Sequence, residues 1–363
     1  MKLRSMRVMM GLLVVVASSC NKSAVMPPLA SELNDKTLTT AGILPIKNVW
    51  LHAPAIPGKP RSDAFAFTIG KKSYVGGGRS FTANFYNSLK DFWEFDPATN
   101  AWTQKADLPG LSTEGAASFV IGNKGYITSG YHFYTVLGGP IDSSQLSRYL
   151  PDTWEYDPAT DKWSKKANFP GIPRAGAVAM AVNGKAYVGT GQGDILLNGQ
   201  AISVLFNDWW EFDPSSNQWK KKTLFPGAKR TGAVAAAGNT TGYIGTGSNG
   251  NNTYYNDWWE YNPTTDSWAQ RANMAGGTRS KAVSISVNNN VYVGTGENHN
   301  NPSVWFTDLW QYDAAGNTWI QKQSMSYGRS AAVGFVVNNT FYLGTGGDPN
   351  SPYTQDFWKL KVQ

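Results

Sequence analysis

The chain has 363 residues, 41% of them hydrophobic and 13% aromatic, which is enough to build a large core. Its formal net charge is +7, and removing three of the 32 basic residues with an N-terminal stretch that we expect to be cleaved leaves 29 against 25 acidic ones, a charge of +4. So small an excess does not indicate a nucleic-acid-binding protein. The single cysteine excludes an intramolecular disulfide and a cysteine-based metal site.

The N-terminus reads as a signal peptide over residues 1–19. It has a basic start, an apolar run from Val8 to Ala17, and small residues directly before Cys20. The stretch resembles the bacterial lipoprotein signal, in which the cysteine is acylated after cleavage, and this resemblance implies that Cys20 is a lipid anchor. The alternative is an ordinary secretory signal with an incidental cysteine.

Residues 20–45 are mostly polar and read as a flexible tether between a membrane and a domain spanning 46–363. We therefore expect the protein in a bacterial cell envelope, bound to the membrane through its lipid and placed at the outer membrane. The side of that membrane stays open, since no acidic run follows Cys20 of the kind that resembles a surface-export signal.

The domain is built from a repeat of roughly fifty residues. Five times an Asp-x-Trp is followed, nine residues after its Trp, by a second Trp, and a sixth Asp-x-Trp near the C-terminus has no such partner. Six segments resembling YVGTG accompany them, beginning at Tyr74, Tyr126, Tyr187, Tyr243, Tyr292 and Tyr342. A period of this length indicates a repeat architecture, and four strand signals per repeat match a propeller blade.

The third repeat shows the order of the strands. Residues 175–182 are apolar and small, which predicts an innermost strand where blades crowd the axis. Asn183-Gly184 then predicts a tight turn into the Tyr187 strand. A loop of variable length leads to Asp208 and the third strand, and Trp219 opens the outermost strand.

These residues resemble kelch repeats, on the positions of Arg174, Gly184, Tyr187, Gly189-Thr190-Gly191, the Asp-x-Trp and the closing Trp. The resemblance runs from Trp50 to the C-terminus, although the usual Gly-Gly is here mostly Gly-Thr-Gly. It implies an all-β propeller, similar to the central domain of galactose oxidase and to six-bladed propellers of the sialic acid mutarotase type.

The chain begins in the middle of a repeat. Trp50, followed by Pro57, Arg61 and Tyr74 at the usual offsets, matches the start of a fourth strand, whereas the C-terminus ends on a third strand. We therefore expect the N-terminal strand to complete the last blade, so that the ring closes with six blades and leaves no open sheet edge.

Candidate binding residues lie on the face that holds the loops before each inner strand and each Asp-x-Trp. These loops are longest in repeats two and three, and repeat two breaks the pattern with Glu114 next to the position of an Arg. The candidate ligand-binding residues are Glu114, Tyr131, His132, Tyr134, Arg148, Arg174 and Asp194. The alternative is that the insertion packs its own aromatic side chains.

Two other patterns on this face have both structural and functional interpretations. An Arg opens the inner strand in five repeats, and the interpretation we favour is pairing with the Asp of Asp-x-Trp, although a ring of Arg also suits anionic ligands. Asn-rich loops that include Tyr254, His299 and Trp305 suit either a sugar or ordinary turns.

No cofactor or metal is expected. The copper-radical chemistry of galactose oxidase needs two His, Tyr ligands and a thioether-forming Cys, whereas this chain has three His, and its one Cys is assigned to the anchor. We expect a monomeric recognition module for a glycan or an envelope protein. One alternative is a sugar-processing enzyme of the sialic acid mutarotase type, which the resemblance implies would use acidic and Arg residues of the loop face; another is a structural subunit of an envelope complex.

Overall fold

The computed structural model describes residues 49–82, 85–134, 147–300 and 303–362. The predicted signal peptide, Cys20 and the tether lie outside these ranges. Within the ranges, the regular elements are β-strands, and none is a helix of the length and apolarity needed to cross a membrane. The fold is therefore all-β, as the repeat pattern predicts.

The described strands form six four-stranded antiparallel sheets, which are the blades. Numbered in chain order and given from the inner strand outward, they are, in blade 1, β2 (Phe65–Ile69), β3 (Lys72–Gly76), β6 (Phe92–Asp96) and β7 (Ala101–Lys105); in blade 2, β8 (Ala117–Ile121), β9 (Lys124–Thr128), β12 (Thr153–Asp157) and β13 (Lys162–Lys166); in blade 3, β14 (Val178–Val182), β15 (Lys185–Gly189), β18 (Trp209–Asp213) and β19 (Gln218–Lys221); in blade 4, β20 (Val234–Ala237), β21 (Gly242–Gly245), β22 (Trp258–Asn262) and β23 (Ser267–Arg271); in blade 5, β24 (Val283–Val287), β25 (Asn290–Gly294), β28 (Leu309–Asp313) and β29 (Thr318–Lys322); and in blade 6, β30 (Val333–Val337), β31 (Thr340–Gly344), β32 (Phe357–Lys361) and β1 (Leu51–Ala53).

Four of the predicted loops are two-stranded ribbons on the loop face. Each joins the second strand of its blade to the third. They are β4 (Arg79–Thr82) with β5 (Phe85–Ser88), β10 (Tyr131–His132) with β11 (Arg148–Tyr149), β16 (Gln192–Leu197) with β17 (Gln200–Leu205), and β26 (Glu297–Asn298) with β27 (Val304–Trp305).

The ring closes between the two ends of the chain, as predicted. Strand β1 pairs with β32, with Leu51 opposite Lys359 and Ala53 opposite Phe357. Trp50, directly before β1, is buried and packs edge-on against Phe341 at a centroid distance of 5.3 Å. The last blade therefore has its outer strand, and the first and last blades meet without an open edge.

The six closing tryptophans join each blade to the one before it. Each indole N–H donates to a backbone carbonyl of the preceding blade, at 2.9 to 3.2 Å: Trp102 to Pro54, Trp163 to Ala106, Trp219 to Ala167, Trp268 to Thr223, Trp319 to Ala272 and Trp50 to Gln323. This repeated bond explains why a Trp recurs there, because the indole combines a large packing surface with an N–H donor that reaches the neighbouring blade.

The inner strands surround the axis with small side chains. Ala66, Ala179 and Ala235 are among the residues that line an axial cavity of 260 Å³. The small side chains at these positions leave the cavity open where the six blades converge.

Candidate functional site

Five repeats form the same Arg–Asp corner on the loop face. The guanidinium of each Arg is at most 2% exposed and makes two hydrogen bonds to the carboxylate of an Asp-x-Trp. The pairs are Arg61 with Asp91, Arg174 with Asp208, Arg230 with Asp257, Arg279 with Asp308 and Arg329 with Asp356. In each pair the same carboxylate also accepts the indole N–H of its own Asp-x-Trp. The Arg therefore has the structural role that the sequence favours.

Arg174, a candidate ligand residue, belongs to these corners. Its guanidinium carbon lies 4.8 Å from the ring centroid of Phe169 and 4.0 Å from that of Phe206, and its Nη1 also donates to the carbonyl of Thr190. Because the side chain is fully buried and bonded to Asp208, it is not among the groups presented to solvent on this face.

Two residues after each corner, the backbone closes a ring of hydrogen bonds around the axis. The six residues there all have φ between 51° and 63°, and the N–H of each donates to the carbonyl of its neighbour at 2.7 to 3.3 Å. They are Asp63, Gly115, Gly176, Gly232, Lys281 and Ala331. Glycine suits this left-handed conformation, whereas Asp and Lys are strained there by roughly 1–2 kcal/mol. Strain of this kind is often kept where a side chain is needed.

Above this ring lies a polar depression of 250 Å³, which we call the cup. It is lined by Asp63, Arg79, Glu114, Tyr131, Tyr149, Gln192, Thr231, Ser248, Ser280, Lys281 and neighbouring small residues. Arg79 stands between the two carboxylates, 3.9 Å from Asp63 and 3.4 Å from Glu114. The cup therefore holds both signs of charge at the loop-face end of the axial cavity, which we call the mouth of the axial channel.

Glu114 is the residue of the cup whose titration departs most from its ordinary range. Burial disfavours its charged form and raises its pKa to about 7, while the nearby guanidinium of Arg79 opposes this effect without cancelling it. Ser88 Oγ also lies 3.4 Å from the carboxylate. At neutral pH the carboxyl is therefore present in both its protonated and its ionised forms.

A second charged cluster lies across the axis, in blades 5 and 6. Lys281 Nζ is 3.0 Å from Glu297, which also accepts from Ser330 Oγ at 2.6 Å and lies 3.2 Å from His299 Nε2. Burial alone would lower the pKa of Lys281, but the charges of Asp63 and Glu297 outweigh burial and raise it. Burial alone would raise the pKa of Glu297, but the charge of Lys281 outweighs burial, together with hydrogen bonds from Ser330 and Lys281, so that the pKa is lowered. Both residues are therefore charged at neutral pH.

The predicted aromatic residues of the long insertion divide between wall and rim. Tyr131 is half-buried in the wall of the cup, where its ring meets Tyr149 at 4.7 Å, and its backbone pairs with that of Glu114. Tyr134 is exposed farther out. His132 is buried, with Nδ1 2.9 Å from Ser112 Oγ. Residues 135–146 of this insertion lie outside the described ranges.

The two remaining candidates lie beside the cup. Arg148 is exposed on β11, opposite His132 in the ribbon. Asp194 is exposed on β16, and its charge adds to burial, the larger cause, in raising the pKa of Tyr149. Of the predicted residues, Glu114 and Tyr131 therefore line the cup, and Asp194 lies near Tyr149 in its wall.

Sequence reasoning missed Asp63, Arg79, Lys281 and Glu297. A signal was present, because Lys281 stands where three other repeats have glycine, and Glu297 directly follows a Gly-Thr-Gly. No cluster of three or more His, Cys, Asp or Glu side chains suited to a metal ion occurs within residues 49–82, 85–134, 147–300 and 303–362.

Comparisons with known proteins agree with this architecture. The family profile described as the KLHDC2/KLHL20/DRC7 Kelch-repeats domain matches residues 135–282, and the Kelch motif profile matches residues 60–109. A solved structure titled "Structure of YjhT" superposes with a TM-score of 0.69, covering 86% of this chain and 97% of that one at 17% identity, a likeness of fold. The chain is a six-bladed kelch propeller.

This kelch propeller is similar in sequence to curated proteins named N-acetylneuraminate epimerase. That of Yersinia enterocolitica is 39% identical over 90 residues, 25% of this chain and 21% of the relative, and that of Shigella sonnei is 27% identical over 200 residues, 49% and 52%. Kelch-like protein 25 of Xenopus tropicalis is 28% identical over 181 residues, 50% and 28%. The chain spans about half or less of the length of these relatives.

Proposed function

We propose that this kelch propeller binds an acidic sugar in the cup and interconverts its anomers. The observation that carries the proposal is Glu114, a carboxyl with a pKa of about 7 placed beside Arg79 at the mouth of the axial channel. A cup of 250 Å³ lies just below the range of about 300–1,000 Å³ that suits drug-sized ligands, so it fits one sugar ring. The relatives named N-acetylneuraminate epimerase support a sugar acid as the ligand.

The chemistry needs a group that can take up and release a proton. To open a cyclic sugar, a base removes the proton of the anomeric hydroxyl while an acid protonates the ring oxygen, so that the ring C–O bond breaks and a carbonyl forms. Reclosure on the other face gives the second anomer, with no net consumption of protons or electrons. A carboxyl with a pKa near 7 serves such transfers well.

Two cationic side chains of the cup would make it select a sugar that carries a carboxylate. Arg79 is one-third exposed and makes only long contacts with its two carboxylates, and Lys281 extends from the opposite side. Either can pair with a ligand carboxylate by a charge-assisted hydrogen bond. The half-buried faces of Tyr131 and Tyr149 are suited to contact the sugar ring.

The activity is tested by following the anomers of free N-acetylneuraminate by NMR. Starting from an unequal mixture, we expect catalytic concentrations of the protein to speed the approach to equilibrium. Glu114→Gln should slow this by about 10²- to 10⁴-fold, the usual contribution of a general acid–base. Glu155→Gln is the matched control, because Glu155 binds Tyr126 within blade 2 and does not line the cup. Equal rates for wild type and Glu114→Gln would contradict the assignment.

Recognition of a glycan without turnover is the second candidate. It is favoured by the position of the Arg79 guanidinium, which lies within 4 Å of the carboxylates of Asp63 and Glu114. These contacts hold the charged groups in fixed positions, as a binding site requires. Binding of N-acetylneuraminate by calorimetry, together with an unchanged rate of anomer exchange, would select this role over catalysis.

We also propose that the propeller is held in a bacterial envelope by lipid on Cys20, at the outer membrane, and meets its glycan or a partner protein there as a monomer. The support is the small-residue run before Cys20 and the polar tether that follows. Cys20→Ser should move the protein from the membrane fraction to the soluble fraction. A Cys20→Ser protein that stayed with the membrane would contradict the lipid anchor.

A further inference from the structure

A continuous row of aromatic rings leads from the cup to the rim of blade 1. Successive centroids lie 4.7 to 6.4 Å apart, so that each ring contacts the next. We call this row the aromatic track; in order from the cup it consists of Tyr149, Tyr131, Phe133, Tyr86 and Phe81, with Tyr353 beside Tyr86. The track joins three blades, because its members come from the insertions of blades 1, 2 and 6.

The outer end of the track is open to solvent. Phe81 and Tyr86 are each 45% exposed and stand directly opposite each other on the ribbon β4–β5, at a centroid distance of 4.8 Å. Two large rings side by side at the rim form an apolar platform next to a polar cup. Such patches commonly mark binding surfaces.

The geometry of the ribbon favours a ligand that stacks on the rings over a peptide that pairs with the strand. Along β5, Ser88 N–H donates to the carbonyl of Phe133 at 3.2 Å, and Asn87 pairs with Tyr134. Along β4, the backbone of Arg79 pairs with that of Ser62. Both strand edges are thus engaged near the cup, which leaves the ring faces as the surface for a ligand.

Arg79 connects the platform to the cup. Its guanidinium carbon lies 5.8 Å from the ring centroid of Tyr86, and its Nη1 lies 3.4 Å from Glu114. A ligand held by Arg79 in the cup would therefore lie near the ring of Tyr86. The rings of the track carry no charge, which suits the uncharged faces of sugar rings. Arg79 is the charged group beside them.

We propose that the natural ligand is a glycan of at least two units, with its acidic sugar in the cup and the adjoining sugar stacked on Tyr86 and Phe81. This rests on the proposed function for the identity of the sugar in the cup, and it adds a second subsite to it. The cup holds one ring, so any further unit must lie outside it, and the track is the apolar surface that continues from it.

The experiment compares three probes by calorimetry: free N-acetylneuraminate, sialyllactose, and the N-acetylneuraminate dimer whose reducing end is free. We expect at least one of the two longer probes to bind about tenfold more tightly than the free sugar, the gain that aromatic stacking of one further ring provides. Sialyllactose as the tighter probe would place the neighbour on the anomeric side, where the glycosidic bond prevents anomer exchange, and would therefore select glycan recognition over catalysis for the cup. The dimer as the tighter probe would place the neighbour on the opposite side and leave the anomeric hydroxyl free for catalysis. Both results support the second subsite.

Variants of the exposed rings separate the two subsites. Phe81→Ala should abolish the tenfold gain and leave the affinity for free N-acetylneuraminate unchanged, because the ring of Phe81 stands beyond Tyr86 on the ribbon. Tyr86→Ala should also abolish the gain. Tyr327→Ala is the matched control, an exposed aromatic residue whose ring meets Trp358 and not the track. Melting temperatures should stay equal, because these side chains are exposed.

Other results overturn the inference in distinguishable ways. If the free sugar binds and neither longer probe gains affinity, or if the gain survives both substitutions, the second subsite is wrong while the proposed function stands. If none of the three sugars binds, both proposals fall. Capture of a peptide that depends on Phe81, with no sugar bound, would make the platform a protein-binding surface instead.

Discussion

The Arg–Asp corners and the mouth of the channel lie within two residues of each other in five of the six repeats, and they differ in almost every other respect. The corners are nearly identical in five blades: each guanidinium is buried, and its Nη1 donates to a backbone carbonyl of the same blade. The mouth holds Asp63, Lys281, Ala331 or glycine at one and the same backbone position. Positions that hold the blades repeat, whereas those facing the cup vary, and the residues to which we assign the proposed function are among the latter.

The largest effect should come from breaking a corner. Arg230→Ala removes a fully buried side chain and leaves the partly buried carboxylate of Asp257 without its Arg partner, so we expect the free energy of unfolding in urea to fall by about 3–5 kcal/mol. The matched change at the mouth, Thr231→Ala, should alter it by less than about 0.5 kcal/mol. Equal losses from these adjacent residues would mean that the distinction between corner and mouth is wrong.

Glu114 should produce the next largest effect, and one that depends on pH. Its folded pKa of about 7 lies above the value of 4.5 expected when it is unfolded, so its contribution to stability is complete below pH 4.5 and is lost as the pH rises through 7. Glu114→Gln removes this loss. At pH 8 the variant should therefore be more stable than wild type by about 3 kcal/mol, from the conversion of about 1.4 kcal/mol per pKa unit.

The check is urea unfolding of both proteins between pH 4 and 8. The difference should be small at pH 4 and should grow through neutrality. A constant difference across this range would show that Glu114 titrates normally and would remove the main support for its role as an acid–base group.

The repetitive part of the molecule could be predicted from the sequence because each feature depends on local spacing. The closing tryptophans and the Tyr-led strands gave six blades, and Trp50 gave the closure of the ring. Glu114 was found because it breaks the Arg pattern. The ribbon β16–β17 was missed although Asn198-Gly199, with both φ values positive, is the signal of a two-residue hairpin turn.

The cup could be predicted only in part, because it is assembled across the axis. Asp63 and Lys281 come from repeats one and five, and they face each other only once the ring is closed. Each is unremarkable in its own repeat, since the mouth position varies from blade to blade. Arg79 was missed for a related reason: its partners, Asp63 and Glu114, come from two different blades.

The smallest predicted effect concerns the threonine in Gly-Thr-Gly, whose backbone carbonyl accepts from the Arg of the corner. In blade 4 this is Thr246, with φ of 59°, a fully buried side chain and no hydrogen-bond partner for its hydroxyl among the described residues. A β-branched residue in the left-handed region is strained by roughly 1–2 kcal/mol, and an unsatisfied buried hydroxyl costs about as much. Glycine removes both, but it loses a buried methyl group and gains freedom when unfolded.

We therefore expect Thr246→Gly to raise the free energy of unfolding by about 1 kcal/mol, less than either change above. Thr246→Ala, which removes the hydroxyl but keeps the strained backbone, should gain less, and the difference between the two measures the strain. The reverse substitution in blade 1, Gly77→Thr, should be clearly destabilising, because a Cβ there would meet the carbonyl oxygen of Thr113 at 2.6 Å. If Thr246→Gly instead lowered the free energy of unfolding, the side chain of Thr246 would itself stabilise the Arg–Asp corner. Thr246 would then belong to the repeated, stabilising positions.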